Sequence, residues 1–210
     1  MFVETIKIKN GWANNIELHQ YRMNKSRYEV LGISQELNLE TAVHTALEHY
    51  LETGGQFYSL MKCRVLYDTY IYKIEFHPYT IKPIRTLQMV QANNIEYTYK
   101  YINRDYIQTL LQYKGNADDI LIIKNNVVTD TSYCNIVFHD GNQWVTPSTP
   151  LLMGTKRQLY LNKNIITHAT IYATDVSMYK IFKVINAMID LEDSENNNID
   201  NIYTTPVIIK

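Results

Sequence analysis

Hydrophobic and polar positions along the chain follow two periods, and each switch between them marks an element. Residues 2–9 alternate as a strand that turns at Asn10-Gly11 into a second extended piece around Trp12. The spacing from Ile16 to Leu31 predicts a helix with Leu18, Tyr21, Tyr28 and Leu31 on one face and Gly32 as its stop. A second helix is predicted from Leu39 to Glu52, burying Leu39, Val43, Ala46, Leu47 and Tyr50 and ending at Gly54-Gly55. Phe57–Tyr67 and Tyr70–His77 read as a hairpin joined at Asp68-Thr69. Pro78 and Pro83 mark an irregular connector.

The second half opens with a strand expected over Ile95–Ile102, in which Tyr97, Tyr99 and Tyr101 share one face and Glu96, Thr98 and Lys100 the other. Asn103 is placed as the N-cap of a helix running to about Tyr113, with Asp105 in its first turn. Short strands follow at Ile120–Lys124, Val127–Thr129, Asn135–His139 and Gln143–Val145. Gly154-Thr155 opens a helix through Arg157 to Leu161. A strand, a short helix near Asp175–Tyr179, a strand at Ile181–Asn186, an Asn-rich loop (196–198) and a last apolar strand complete the pattern. The elements predict an α+β chain with a small α+β lobe over residues 1–86 and a larger β-rich lobe with short helices over 87–210.

Composition narrows the function classes. The 210 residues are 46% hydrophobic and 20% charged, which fits a folded globular chain. Basic and acidic residues nearly balance, 20 against 21, and no Lys/Arg run offers the footprint of a nucleic-acid partner. No apolar run approaches the roughly 20 residues of a membrane span. Met1 leads straight into Phe2-Val3-Glu4-Thr5-Ile6 without a leader pattern, so the expected location is the cytoplasm. Cys63 and Cys134 are expected as two buried thiols.

Most familiar chemistries lack their motifs. His44 and His49 lie five apart on a predicted helix and do not share a face, and no Cys pair has zinc spacing. There is no G-x-S-x-G elbow, no G-x-G-x-x-G and no Walker A loop. The 18 tyrosines lie mostly in predicted strands, where aromatics pack well.

Specificity begins between Lys100 and Arg157. Lys100-Tyr101-Ile102-Asn103-Arg104, Val128-Thr129-Asp130-Thr131-Ser132-Tyr133-Cys134-Asn135-Ile136, and Thr146-Pro147 with Leu151-Leu152-Met153-Gly154-Thr155-Lys156-Arg157 occur in this order. Upstream stand Glu4-Thr5-Ile6 and His19-Gln20-Tyr21-Arg22-Met23, and downstream Val184-Ile185-Asn186-Ala187-Met188. Together they resemble the class IV aminotransferase superfamily of pyridoxal 5′-phosphate (PLP) enzymes. The Lys-x-x-Asn-Arg and Asn-Ala-Met patterns are closest to its aminodeoxychorismate lyase branch.

The resemblance implies a two-lobed fold, a homodimer and a small amino substrate. It implies Lys100 as the Schiff-base lysine, Asp130 as the carboxylate beside the pyridine nitrogen, and Arg22, Thr155, Lys156 and Asn186 around the phosphate. Those residue types suit the chemistry: an amine to hold an aldehyde, a carboxylate to keep a ring nitrogen protonated, and fixed donors for a phosphate. Three departures stand out. Asp130 replaces the commoner Glu, Lys156 stands where many relatives carry Thr, and the glycine-rich stretch before Glu4-Thr5 is absent. Lys156 either strengthens phosphate binding or points to solvent. Arg64, which shares a strand face with Lys62, and Arg104 are candidates for the substrate carboxylates. The implied reaction is loss of pyruvate from 4-amino-4-deoxychorismate to give 4-aminobenzoate, a step of folate biosynthesis. The alternatives are an aminotransferase for D- or branched-chain amino acids, or a PLP-binding protein without turnover.

Overall fold

The computed structural model describes residues 1–209, which fall into two units that are not continuous in sequence: Met1–Ile81 with Tyr99–Asn103, and Lys82–Thr98 with Arg104 onward. The architecture is α+β with one sheet in each unit.

In the first unit the strand order is β2-β1-β3-β4, built from β1 (Phe2–Lys9), β2 (Trp12–Ala13), β3 (Leu60–Tyr67) and β4 (Ile71–Pro78). Neighbouring strands all run antiparallel. Asn10 and Gly11 take φ of 52° and 86°, the left-handed pair that a two-residue hairpin turn needs. Two helices, α1 (Ile16–Leu31) and α2 (Leu39–Glu52), complete the unit. Phe2, Ile6 and Ile8 from β1 and Met61, Cys63, Val65 and Tyr67 from β3 join Leu39, Val43 and Leu47 of α2 in one core. Asn38 caps α2 by accepting from the Thr41 N–H at 2.9 Å.

The face of α1 is the reverse of the predicted one. Ile16, His19, Met23, Ser26 and Arg27 are buried, whereas Tyr21, Tyr28 and Leu31 are exposed. Apolar spacing does not give this face because two polar side chains on the inner face have specific hydrogen-bond partners. Arg27 donates to the carbonyls of Asp68 and Thr69 at 3.0 and 2.9 Å, and His19 meets Glu4. A buried polar group that is fully hydrogen-bonded competes with an apolar one for an inward position.

In the second unit the sheet runs β10-β9-β8-β7-β6-β5-β13. Its strands are β5 (Leu87–Gln91), β6 (Asp119–Lys124), β7 (Val127–Thr131), β8 (Asn135–His139), β9 (Trp144–Pro147), β10 (Ile166–Ala169) and β13 (Ile202–Ile208). β11 (Ile181–Ile185) also pairs with β8, and β12 (Asn197–Asn198) pairs with β11. Helices α3 (Asp105–Leu111) and α4 (Thr155–Asn162) accompany it. Val90, Ile120 and Ile122 pack with Ile107 and Leu110 of α3 to form a core.

Two expectations fail at the start of this half. Residues 95–102 form no strand beyond a single bridge of Tyr101 to Phe2, and the true strand, β5, lies upstream at Leu87–Gln91. Tyr99 and Tyr101 alternate because they pack on Phe2, with ring centroids 6.5 and 5.1 Å from it, and not because they pair in a ladder. The N-cap of α3 is Arg104, one residue past Asn103, and the helix stops at Leu111. The Lys100 segment therefore clusters with the N-terminal unit, not with the lobe beginning at residue 87 to which the pattern assigned it. The Val3 N–H donates to the Lys100 carbonyl at 3.0 Å, and Ile102 N–H to that of Met1 at 3.3 Å.

No helix among the described residues is long and apolar enough to cross a membrane. Cys63 and Cys134 are both buried thiols.

Candidate active site

The first unit gathers three ionisable residues, His19, Arg22 and Lys100, around one carboxylate, that of Glu4. Glu4 lies on the core-facing side of β1 and is fully buried. Its Oε1 accepts from Arg22 Nε at 2.9 Å, and its Oε2 from Arg22 Nη2 at 2.5 Å and from His19 Nδ1 at 2.6 Å. His19 and Arg22 come from one face of α1, three residues apart. Burial by itself would push the Glu4 carboxyl up; the Arg22 charge and the His19 hydrogen bond more than reverse that and hold it at about 2. Glu4 is thus ionised, so the proton in the His19 contact sits on Nδ1. Burial, against the pull of Glu4, pushes the imidazole pKa down, and the charges of Arg22 and Lys100 act in the same direction. Lys100 belongs to this corner because its carbonyl is bonded to Val3, the neighbour of Glu4.

The opposite face of the same sheet is basic. Arg64 lies across from Thr5 on β1 and from Glu75 on β4, whose carboxylate accepts from Arg64 Nη1 at 3.1 Å. Lys62 shares that face, and its partner across the strand is Lys7, a buried lysine. Like charges directly opposed in an antiparallel pair repel. The pattern of the sequence pointed to Lys62 and Arg64 but not to Lys7, which only the register brings beside them.

In the second unit Asp130 is buried inside β7, opposite Asn135 of β8. Both of its oxygens are engaged. Oδ1 accepts from Asn135 Nδ2 at 2.7 Å, and Oδ2 from the Leu152 N–H at 3.0 Å. Asn135 Nδ2 also donates to the Leu152 carbonyl at 3.0 Å, so one amide clamps the 150–154 loop to the carboxylate. Gly154 is required for that clamp: a β-carbon there would sit 1.9 Å from Asn135 Oδ1. Burial pushes the Asp130 carboxyl up to about 6, despite the two donors and the charge of Arg157. Arg157 is itself buried; its Nη2 donates to the Pro147 carbonyl at 2.8 Å, and its Nε has no hydrogen-bond partner.

Thr155 is the first residue of α4, with Gly154 as N-cap, so the first-turn N–H groups of the helix lie beside it. Lys156 does not point to solvent: its side chain is 5% exposed and forms an ion pair with Asp190. Asn186 closes a tight turn. Its Oδ1 accepts from the N–H groups of Met188 and Ile189 at 2.8 and 3.1 Å, and its Nδ2 donates to Cys134 Sγ at 3.1 Å. Arg104 donates to the Ser132 carbonyl, in the turn that follows Asp130. A cleft of about 340 Å³, lined by Thr98, Lys124, Thr129 and Leu151 among others, also lies in this unit. Thr129 and Asp130 alternate along β7, so their side chains leave the strand on opposite faces.

Each unit therefore carries part of the candidate set: Arg22, Lys100 and Arg64 in the first, Asp130, Thr155, Lys156, Asn186 and Arg104 in the second. Glu4, His19 and Asn135 stood inside quoted motifs without a role, and their partners supply one. Asp190 carried no signal, because a lone Asp after an apolar run reads as a turn former.

Comparison with known proteins gives the family of the chain. An uncharacterized protein of Haemophilus influenzae (strain ATCC 51907 / DSM 11121 / KW20 / Rd) is 39% identical over 189 residues, covering 88% of this chain and 96% of that protein. The crystal structure of a provisionally assigned 4-amino-4-deoxychorismate lyase from Haemophilus somnus 129pt is 35% identical, with a TM-score of 0.81 over 90% of this chain and 97% of that one. A hypothetical aminotransferase from Mycobacterium tuberculosis in its PLP-bound form shares the fold at 13% identity, with a TM-score of 0.74 over 96% of this chain and 80% of that one. The family model for amino-transferase class IV matches residues 1–191. With the motifs in order, the fold matched over nearly its whole length and the family model spanning 191 residues, the chain belongs to the class IV aminotransferase family.

Proposed function

We propose that this protein is a PLP-dependent lyase that releases pyruvate from 4-amino-4-deoxychorismate. The observation that carries the cofactor reading is Asp130. It is a buried carboxylate, fixed by two neutral donors yet with its pKa pushed up to about 6, and a protonated ring nitrogen is the partner that would favour its charged form. The remaining donor set fits the same group: an amine at Lys100, a guanidinium at Arg22 oriented by Glu4, and the first turn of α4 at Thr155.

When bound, PLP supplies an electron sink for the carbon that bears the substrate amine. Lys100 would hold the cofactor through its amine, and its Nζ would take the proton from that carbon. Asp130 would keep the ring nitrogen protonated, and Arg22, Thr155 and Asn186 would hold the phosphate. The substrate carries two carboxylates, and the basic face that Lys62 and Arg64 share with Lys7 would receive one of them. The lyase branch is favoured over transamination by the Lys100-x-x-Asn103-Arg104 and Asn186-Ala187-Met188 patterns and by the likeness to the Haemophilus somnus protein.

The deciding assay follows pyruvate and 4-aminobenzoate from 4-amino-4-deoxychorismate with the PLP-loaded protein. Equal amounts of both products are expected. Amination of keto acids without pyruvate release would overturn the lyase assignment, and a protein that binds no added PLP would overturn the whole reading. Arg64→Ala is expected to raise the KM for the substrate by roughly tenfold with little change in kcat, the loss of about one charge-assisted hydrogen bond. An unchanged KM in steady-state kinetics removes Arg64 from the substrate site.

A further inference from the structure

We propose that Lys156 is a positioning residue, not a phosphate ligand: its ion pair with Asp190 is a strut that fixes the Asn186–Ile189 turn against the first turn of α4. The proposal rests on the PLP reading above, because these are the two segments assigned to the phosphate.

The geometry divides the work clearly. The turn is rigid within itself, since Asn186 and Ile189 exchange backbone hydrogen bonds at 3.2 and 3.1 Å and the Asn186 side chain accepts from the Met188 N–H and shares that of Ile189. Asp190 is the next residue, so whatever holds its carboxylate holds the turn. Lys156 does so from the second residue of α4, beside Thr155, with its side chain almost wholly buried. One helical turn on, on the same face, the Tyr160 hydroxyl accepts from the Leu191 N–H at 2.9 Å. The ammonium of Lys156 lies 5.8 Å from the Tyr160 ring centroid.

The segment 190–191 is therefore pinned to α4 at two points, and the Lys156 pin is at the helix start, beside Thr155. Without it the pin at the helix start is lost while the one at Tyr160 stays, which loosens the spacing of Thr155 and Asn186. A lysine that replaces the hydroxyl of many relatives would thus replace a direct ligand with a spacer between two ligand-bearing segments.

The test uses the whole chain and compares its affinity for PLP with that for pyridoxal, which lacks the phosphate, by absorbance titration. Asp190→Asn is the key variant, because it leaves the Lys156 charge in place. The strut requires Asp190→Asn to weaken PLP binding by roughly ten- to a hundredfold, the loss typical when the partner that orients a metal ligand is removed. Pyridoxal affinity should change little. Lys156→Met should do the same, and Lys156→Arg should restore most of the difference.

Lys156→Met with Asp190→Leu replaces the buried pair by apolar side chains and is expected to keep the thermal midpoint while losing phosphate preference. Asp190→Asn that keeps or gains PLP affinity while Lys156→Met loses it would make Lys156 a direct ligand and overturn the proposal. A double variant that folds and retains the wild-type PLP-to-pyridoxal ratio would overturn it too. A wild-type protein that binds neither compound would overturn the PLP reading along with it, which separates that failure from failure of the strut alone.

Discussion

Lys100→Ala is expected to abolish turnover and to leave the PLP-reconstituted protein without the visible band of the wild type. Two contributions disappear together. The covalent hold on the cofactor is lost, and so is the base that moves the substrate proton, which alone is worth about 10²–10⁴-fold. Lys100→Arg separates charge from chemistry: it keeps a cation near His19 but offers no amine that can condense with an aldehyde, so it should be as inactive as the alanine variant. Added methylamine should restore part of the activity of Lys100→Ala and none of that of Lys100→Arg. Lys100→Ala retaining more than a tenth of wild-type activity in a pyruvate-release assay would remove Lys100 from the mechanism. The fold should tolerate the change, since the hydrogen bond that ties this residue to β1 uses its backbone carbonyl.

Asp130→Asn is expected to lower kcat by roughly 10²–10³-fold, the cost of removing a preorganised charge partner from a dry site. It should also alter the acid response of the cofactor-free protein. The folded-state pKa of Asp130 is raised by burial to about 6 from 3.8, so between these values the folded chain holds a proton that the unfolded chain has released. Stability therefore falls as pH rises through that window, by roughly 3 kcal/mol in total for a shift of this size. Asp130→Asn cannot titrate, so the difference between its thermal midpoint and that of the wild type should widen in favour of the variant from pH 4 to pH 7. Parallel midpoints across that range would mean that Asp130 is ionised at no cost, and the argument for a cationic partner would fail. Asn135 and Leu152 both donate to this position, and one oxygen of an asparagine cannot serve both. Some destabilisation independent of pH is therefore expected as well.

The sequence was most legible where apolar period and punctuation agreed. The helix predicted at Leu39–Glu52 is found with those bounds, because a capping Asn38 and a clean apolar stripe point the same way. The hairpin turn at Asn10-Gly11 was equally plain. The faces of α1 were not, since His19 and Arg27 are inward-facing for reasons that lie on β1 and in the loop at residues 68–69. Leu87–Gln91 is hard to read because a five-residue strand with glutamines at two of its positions is too short to show a period, while the tyrosines at 97, 99 and 101 imitate one. At the candidate site the motifs supplied the residues and their order. They could not supply the Lys7–Lys62 register or the Asp190 partner of Lys156, which depend on pairings distant along the chain.

The chain enters the second unit at Lys82, returns to the first for Tyr99–Asn103, and leaves it again. During synthesis the N-terminal unit accordingly remains unfinished after its fourth strand has emerged. Phe2 keeps its Tyr99 and Tyr101 neighbours, and Val3 its hydrogen-bond acceptor, only once residue 103 has been made. A fragment cut at the apparent boundary near residue 86 would carry the helices and the hairpins but expose an apolar edge, and Lys100 would be left on the other piece. Vectorial folding of this protein thus has to bring a five-residue insert back to the first strand, so the step that completes the N-terminal unit is also the step that sets Lys100 in place.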